Sequence, residues 1–262
     1  MKPRSINELL SRGVARLLAG AAMVLALAGC GGGGGESASD PDAGAEVVIG
    51  LTDAPGDFLS YGVDVLSLEL KRANGAVVQT MPARTRFDFA QYTELTEFLT
   101  VATVPLGAYV SAKLRLDFSA ADIVVEDSLS QAVAATVKDS AGQPAGVLEL
   151  AVQFDPRRPL VVSRGVPAHL TLDFDLKSSN QADLTTAPPT VTVAPVLLAE
   201  VLPEQPKLHR VRGPLEEVST AQSGYRVGVR PFHRLSGRHG SLFVHTDAAT
   251  VFEINGVRFL GA

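Results

Sequence analysis

Residues 169–176 read His-Leu-Thr-Leu-Asp-Phe-Asp-Leu. Every even position is apolar and every odd position polar. A period of two marks an extended strand with one buried and one wet face, because successive side chains leave opposite sides of the backbone. Val110, Ala112, Leu114, Leu116 and Phe118 repeat the alternation. Val and Thr are frequent, and turn residues recur at short intervals. Together these predict an all-β chain built around a sandwich. Further strands are expected near 46–52, 76–80, 85–89, 100–104, 121–126, 132–138, 147–154, 160–163 and 190–201. Val63 and Val65 share one phase, whereas Leu66, Leu68 and Leu70 share the other. A phase slip inside one strand requires an extra residue, so a β-bulge is expected at Val65-Leu66. Asn74-Gly75 between apolar runs predicts a hairpin turn. Pro144, Pro156, Pro159, Pro188 and Pro189 fall in or beside connectors. No long amphipathic helix is present; Tyr92–Leu99 has room for one or two turns.

The chain has 262 residues and a single cysteine, Cys30. It stands after a basic head (Lys2, Arg4, Arg12, Arg16) and an apolar or small run, Leu17–Ala28. A basic head and a short apolar stretch are the parts of a secretory signal. The run is short of the roughly 20 apolar residues that span a bilayer as a helix. Leu27-Ala28-Gly29-Cys30 resembles the bacterial lipobox, which implies cleavage before Cys30 and lipidation of its thiol. A plain signal peptide would share the small-residue cleavage site, and the cysteine alone separates the two readings. After Cys30, Gly31–Gly35 and Glu36-Ser37-Ala38-Ser39-Asp40-Pro41-Asp42 cannot bury apolar surface. They are expected to form a disordered Gly/Ser tether over 30–45 with a reach of roughly 20–25 Å. Gly31 stands where an aspartate tends to retain Gram-negative lipoproteins at the inner membrane. This resembles an outer-membrane address.

Charge divides the remainder. Residues 30–206 hold 11 Lys and Arg against 23 Asp and Glu, whereas residues 207–262 hold 8 against 4. The sign change and Leu202-Pro203-Glu204-Gln205-Pro206 predict a linker at 202–207 between a sandwich over 46–201 and a small basic β module over 208–262. Short strands are expected in that module near 208–213, 215–219, 224–230, 241–246 and 249–260. Few of them can pair a full apolar face with a neighbour. The module is expected to be incomplete as given, or to pair its apolar edge with the sandwich or another molecule. An acidic body argues against a nucleic-acid partner.

Leu51-Thr52-Asp53-Ala54-Pro55-Gly56-Asp57 and Val104-Pro105-Leu106-Gly107-Ala108-Tyr109 resemble domain-of-unknown-function family 4382 over residues 46–200. The resemblance implies a secreted bacterial lipoprotein with an immunoglobulin- or prealbumin-like sandwich and carries no activity. In the second motif, proline and glycine make the turn and Tyr109 anchors the next strand. Arg210-Val211-Arg212-Gly213-Pro214-Leu215 and Thr246–Gly256 resemble a second family, domain of unknown function 5666. That resemblance implies a small, barrel-like all-β module.

The motifs of common enzymes are absent: no Gly-x-Ser-x-Gly, His-Glu-x-x-His, Walker loop or Gly-x-Gly-x-x-Gly after a strand. Three weaker groupings remain. Asp53 and Asp57 share one loop and could hold calcium, but their spacing fits no calcium loop and suits turn chemistry better. His169, Asp173 and Asp175 share a strand face, which is ordinarily a solvated polar face. His233, His239 and His245 lie among Arg230, Arg234 and Arg238. Neighbouring arginines disfavour a cation there, so a basic loop facing an anionic surface is the better reading.

No catalytic residue, cofactor or metal is expected. The expected role is a non-enzymatic, lipid-anchored cell-envelope protein at the outer membrane. Its partners would be the membrane, through Cys30, and an envelope protein or glycan. A carbohydrate-binding or adhesion module is one alternative; it would need exposed aromatics, for which Tyr61, Tyr92 and Phe98 are the supply. A metal-dependent hydrolase is another; it would need acids converging in a pocket.

Overall fold

A computed structural model describes residues 44–53, 58–92, 95–201, 208–230 and 239–261. The chain begins with β1 (Gly44–Thr52), β2 (Phe58–Arg72), β3 (Val77–Gln79) and β4 (Thr85–Asp88), then a 3-10 turn (Phe89–Gln91). It continues through β5 (Leu95–Pro105), β6 (Gly107–Glu126), β7 (Ala132–Ala134), β8 (Thr136–Asp139), β9 (Val147–Gln153), β10 (Leu160–Val162) and β11 (Ala168–Phe174). A four-residue helix, α1 (Leu176–Ser179), precedes β12 (Asn180–Asp183), β13 (Thr190–Val193) and β14 (Leu197–Glu200). The remaining strands are β15 (Leu208–Arg210), β16 (Leu215–Ser219), β17 (Gly224–Gly228), β18 (Ser241–His245), β19 (Val251–Ile254) and β20 (Val257–Leu260).

Two sheets face each other. One has the order β14-β11-β1-β5-β15; the other runs β10-β6-β2-β3, with β4, β7 and β9 paired onto β2 and β6. The core lies between them. Val47, Ile49 and Leu51 of β1 and Leu170, Leu172 and Phe174 of β11 meet Val63, Val65, Leu68 and Leu70 of β2 and Leu114 and Leu116 of β6. The even positions of 170–176 are all buried, as the alternation requires. The all-β sandwich expected from the sequence is the observed fold.

The register of β2 against β6 shifts between Val65 and Ser67. Val63 and Val65 point into the core before the shift, and Leu68 and Leu70 after it. The extra residue in β2 therefore re-phases the strand without exposing its apolar side. Val110 departs from expectation. A second shift, between Lys71 and Arg72, pairs Arg72 with Tyr109, so Tyr109 is buried and Val110 is only half-buried. The Tyr109 hydroxyl donates to the Pro105 carbonyl at 2.8 Å, which ties the strand to the turn that launches it. The Asn74-Gly75 turn is present, with Gly75 at φ +91, a conformation that glycine adopts freely. Among the described residues of Tyr92–Leu99 there is no helical turn: β5 already begins at Leu95, and a 3-10 segment precedes Tyr92.

β1 is buried on both faces along most of its length. Its inward face joins the core. Its outward face, with Phe98 and Val101 of β5, lies under Val229, Val211 and Leu242 of the C-terminal residues. The residues after 207 form no closed barrel among those described. β15 pairs in parallel with β5, β16-β17-β18 make a three-stranded sheet, and β19-β20 make a two-stranded ribbon. The described residues from Gly44 onward cluster as one compact unit.

Candidate functional site

The most unusual side chain in the sandwich is Glu97, an acid inside the apolar run of β5. It pairs with Leu51 of β1, whose side chain faces the core, and is completely buried. A buried carboxylate is stable only when paired and hydrogen-bonded. Its partners arrive from the C-terminal residues. β15 lies beside β5 in a register that places Arg210 opposite Glu97. The Arg210 Nε donates to Glu97 Oε2, and Arg212 Nε lies 3.2 Å from Glu97 Oε1. Both arginine side chains remain about a third exposed, at 34% and 37%. Tyr92 is buried nearby, and its hydroxyl is held in the protonated form, first by burial and then by the Glu97 charge.

Asp53 is buried at the end of β1. Its Oδ1 accepts from the Leu176 N–H at 3.0 Å, and its own N–H donates to the Tyr92 carbonyl at 3.2 Å. The carboxylate thus joins the start of α1 to β1. Asp57 lies outside the described residues. Tyr61, also buried, donates to Asn180 Oδ1 at 2.8 Å, and burial pushes its hydroxyl pKa up.

His169, Asp173 and Asp175 do not converge. Asp175 caps α1, accepting from Ser178 N–H at 2.8 Å and Ser178 Oγ at 2.7 Å. His169 instead stacks on His209, with ring centroids 6.3 Å apart and planes 12° apart. Burial, and then the neighbouring His209 charge, lower the His169 pKa. His239 is buried, with Nε2 3.5 Å from Thr85 Oγ1, and its carbonyl accepts from Val101 N–H at 2.7 Å and Thr100 Oγ1 at 3.2 Å. His245 is exposed, and its ring lies 4.8 Å from that of Phe243. Arg230 lies at the end of the same C-terminal sheet, where its N–H donates to the Arg212 carbonyl at 2.8 Å. His233, Arg234 and Arg238 lie outside the described residues. Among the described residues, no three His, Cys, Asp or Glu side chains come close enough to hold a metal ion. The acids with lowered pKa, Asp117 and Asp183, owe it to hydrogen bonds from Ser119, within β6, and from Thr185, in an exposed turn.

A cleft of about 570 Å³ opens in the C-terminal part. Leu215, Val218, Tyr225 and Phe252 line it, with Ser219 and Thr246 among its hydroxyl groups. No charged residue lines it.

The family described as Domain of unknown function (DUF4382) matches residues 44–189. The chain belongs to this family. The DUF4382 match takes in β1 to β12 and stops before the strands that complete the first sheet, β14 and β15. Neither a curated protein nor a solved structure matches the chain. Glu97 lies within the DUF4382 segment and both of its arginines lie beyond it. Sequence reasoning missed this cluster; the available signal was an acid inside the apolar run Leu95–Val101.

Proposed function

We propose that this DUF4382 protein is a lipid-anchored cell-envelope protein that acts by binding rather than by catalysis. The observation that carries the binding half is the use made of the buried polar groups. Glu97, Asp53 and Tyr61 each hold one chain segment to another, through Arg210 and Arg212, Leu176 and Asn180. Groups committed in this way to structural contacts are not poised to exchange protons with a substrate. Tyr61, Tyr92 and Phe98, the aromatics that a sugar-stacking platform on the sandwich would need, are all buried. The lipid anchor rests on Leu27-Ala28-Gly29-Cys30 and on the Gly-rich stretch after it.

Mass spectrometry of the membrane-extracted protein tests the anchor. The expected result is loss of residues 1–29 and acyl mass on Cys30. An intact leader, or a Cys30→Ala variant still fully membrane-bound, would overturn it. The binding role is tested by pull-down from envelope extracts. Saturable retention of one component by the wild-type protein is expected, and turnover of an envelope polymer by the purified protein would refute the non-catalytic reading.

A further inference from the structure

We infer that the β19-β20 ribbon is a self-association surface whose partner is a second copy of this chain. In a two-stranded antiparallel ribbon, directly paired residues share a face. Phe252 pairs with Phe259, and Ile254 with Val257. One face of the ribbon is therefore four apolar side chains and nothing else. The opposite face is mixed: Val251 and Leu260 flank Glu253 and Arg258, whose charges meet at 2.9 Å. A solitary two-stranded ribbon is marginal in water and gains stability by laying an apolar face on another layer. Ile254, Val257 and Phe259 are instead 60%, 54% and 51% exposed.

The neighbouring edge strand extends the same surface. A register shift between Leu215 and Glu217 brings Leu215 and Val218 of β16 to the cleft that Phe252 also lines. They are 61% and 64% exposed. Together these five exposed side chains leave roughly 500 Å² of apolar surface open, at the upper end of what a monomer carries. A stable dimer buries about 800 Å² per partner, and homodimer interfaces are about 65% apolar. The open apolar area matches the centre of such an interface.

Charge selects the occupant. No side chain of Phe252, Ile254, Val257 and Phe259, and none lining the cleft, is charged. A two-fold axis places each face against its own copy, where any unpaired charge would meet its like. An uncharged apolar face escapes that repulsion and is complementary to itself. An anionic lipid surface would call for free cations on this face, and Arg258 lies on the other face, paired to Glu253.

The test uses the full chain carrying Cys30→Ser, so that association cannot come from an acyl group and its outcome is independent of the anchor. Sedimentation equilibrium should give a dimer with a dissociation constant in the micromolar range. Phe259→Asp and Ile254→Asp should each shift it to monomer, with unchanged circular dichroism and, at concentrations below that constant, an unchanged unfolding midpoint. Leu129→Asp, at a 77% exposed turn position of the sandwich, should leave the dimer intact. Since the Cys30→Ser chain has no other thiol, Val257→Cys should form an intermolecular disulfide on mild oxidation, whereas Leu129→Cys should not. A monomer at every accessible concentration would overturn the inference. So would a dimer indifferent to both ribbon substitutions, or monomers that bind vesicles of anionic phospholipid through the ribbon.

Discussion

Replacing Arg210 and Arg212 together by alanine isolates the contact between the DUF4382 segment and the residues beyond it. Glu97 has no exposed surface with both arginines in place, so the double variant leaves its carboxylate without a cation and incompletely hydrated. Removing the partner of a buried charge costs about 3–5 kcal/mol. Both arginines are about a third exposed, which weakens the original attraction by screening and places the expected loss near about 3 kcal/mol. With a urea slope near 2 kcal/mol per molar, the midpoint should fall by about 1.5 M. Either single variant keeps one cation on Glu97 and should lose roughly half as much, in the range of a charged hydrogen bond at about 1.5–3 kcal/mol. Adding Glu97→Met to the double variant removes the stranded charge and should restore the midpoint to within about 0.5 M, because an apolar replacement of similar volume is nearly neutral at such sites. Equilibrium urea unfolding of the wild type and the four variants reads all of this. A double variant that loses less than about 1 kcal/mol, the value for an exposed pair, would refute the reasoning. A triple variant as unstable as the double would refute it equally.

Two further outcomes follow from single side chains. Tyr109→Phe deletes the hydroxyl that donates to the Pro105 carbonyl and should cost about 1 kcal/mol in the same assay; an unchanged midpoint would mean that the bond adds nothing beyond ring burial. The His169 pKa is lowered in the fold, so between that value and about 6.5 the unfolded chain binds more protons. Stability is then fully present above about pH 6.5 and declines as the pH falls through the folded-state pKa; His169→Gln should flatten this slope between pH 7.5 and 5.5, and an unaltered slope would remove His169 from the account.

The sandwich was legible because its strands alternate over long runs. The bulge in β2 could be placed to the residue, since a slip in apolar phase has one simple structural cause. Val110 was misread for the same reason: a second bulge beside Tyr109 re-phases β6 where the polar and apolar residues are too mixed to reveal it. The C-terminal strands were found, but 249–260 reads as one strand and is in fact β19 and β20. Asn255 at φ +52 and Gly256 at φ +78 make the turn between them, the same dipeptide that marked the hairpin at 74–75. The Glu97 cluster was illegible because its members lie more than a hundred positions apart, and only the parallel pairing of β15 with β5 joins them. The basic loop expected around His239 and His245 was misplaced at those two residues: His239 is drawn under β5, and His245 stays on an exposed strand.

The placement of β1 governs the order in which this chain can become folded. Its neighbours in the sheet are β5 and β11, and Val47 must wait for Ala168 to complete its pairing. By contrast, β2, β4 and β6 find one another within the first half of the chain. A chain emerging from its N-terminus therefore pairs the centre of one sheet early and holds the other open, with the far edge of β1 unpaired until β11 arrives and that of β5 until β15 does. The outward face of Val48 is covered later still, by Val229 and Leu242. Early-made strands that wait on late-made partners fold slowly and present sticky edges in the interval. Any nascent or truncated chain ending before residue 208 carries that hazard, and the arrival of β15, Val229 and Leu242 is the closing step that ends it.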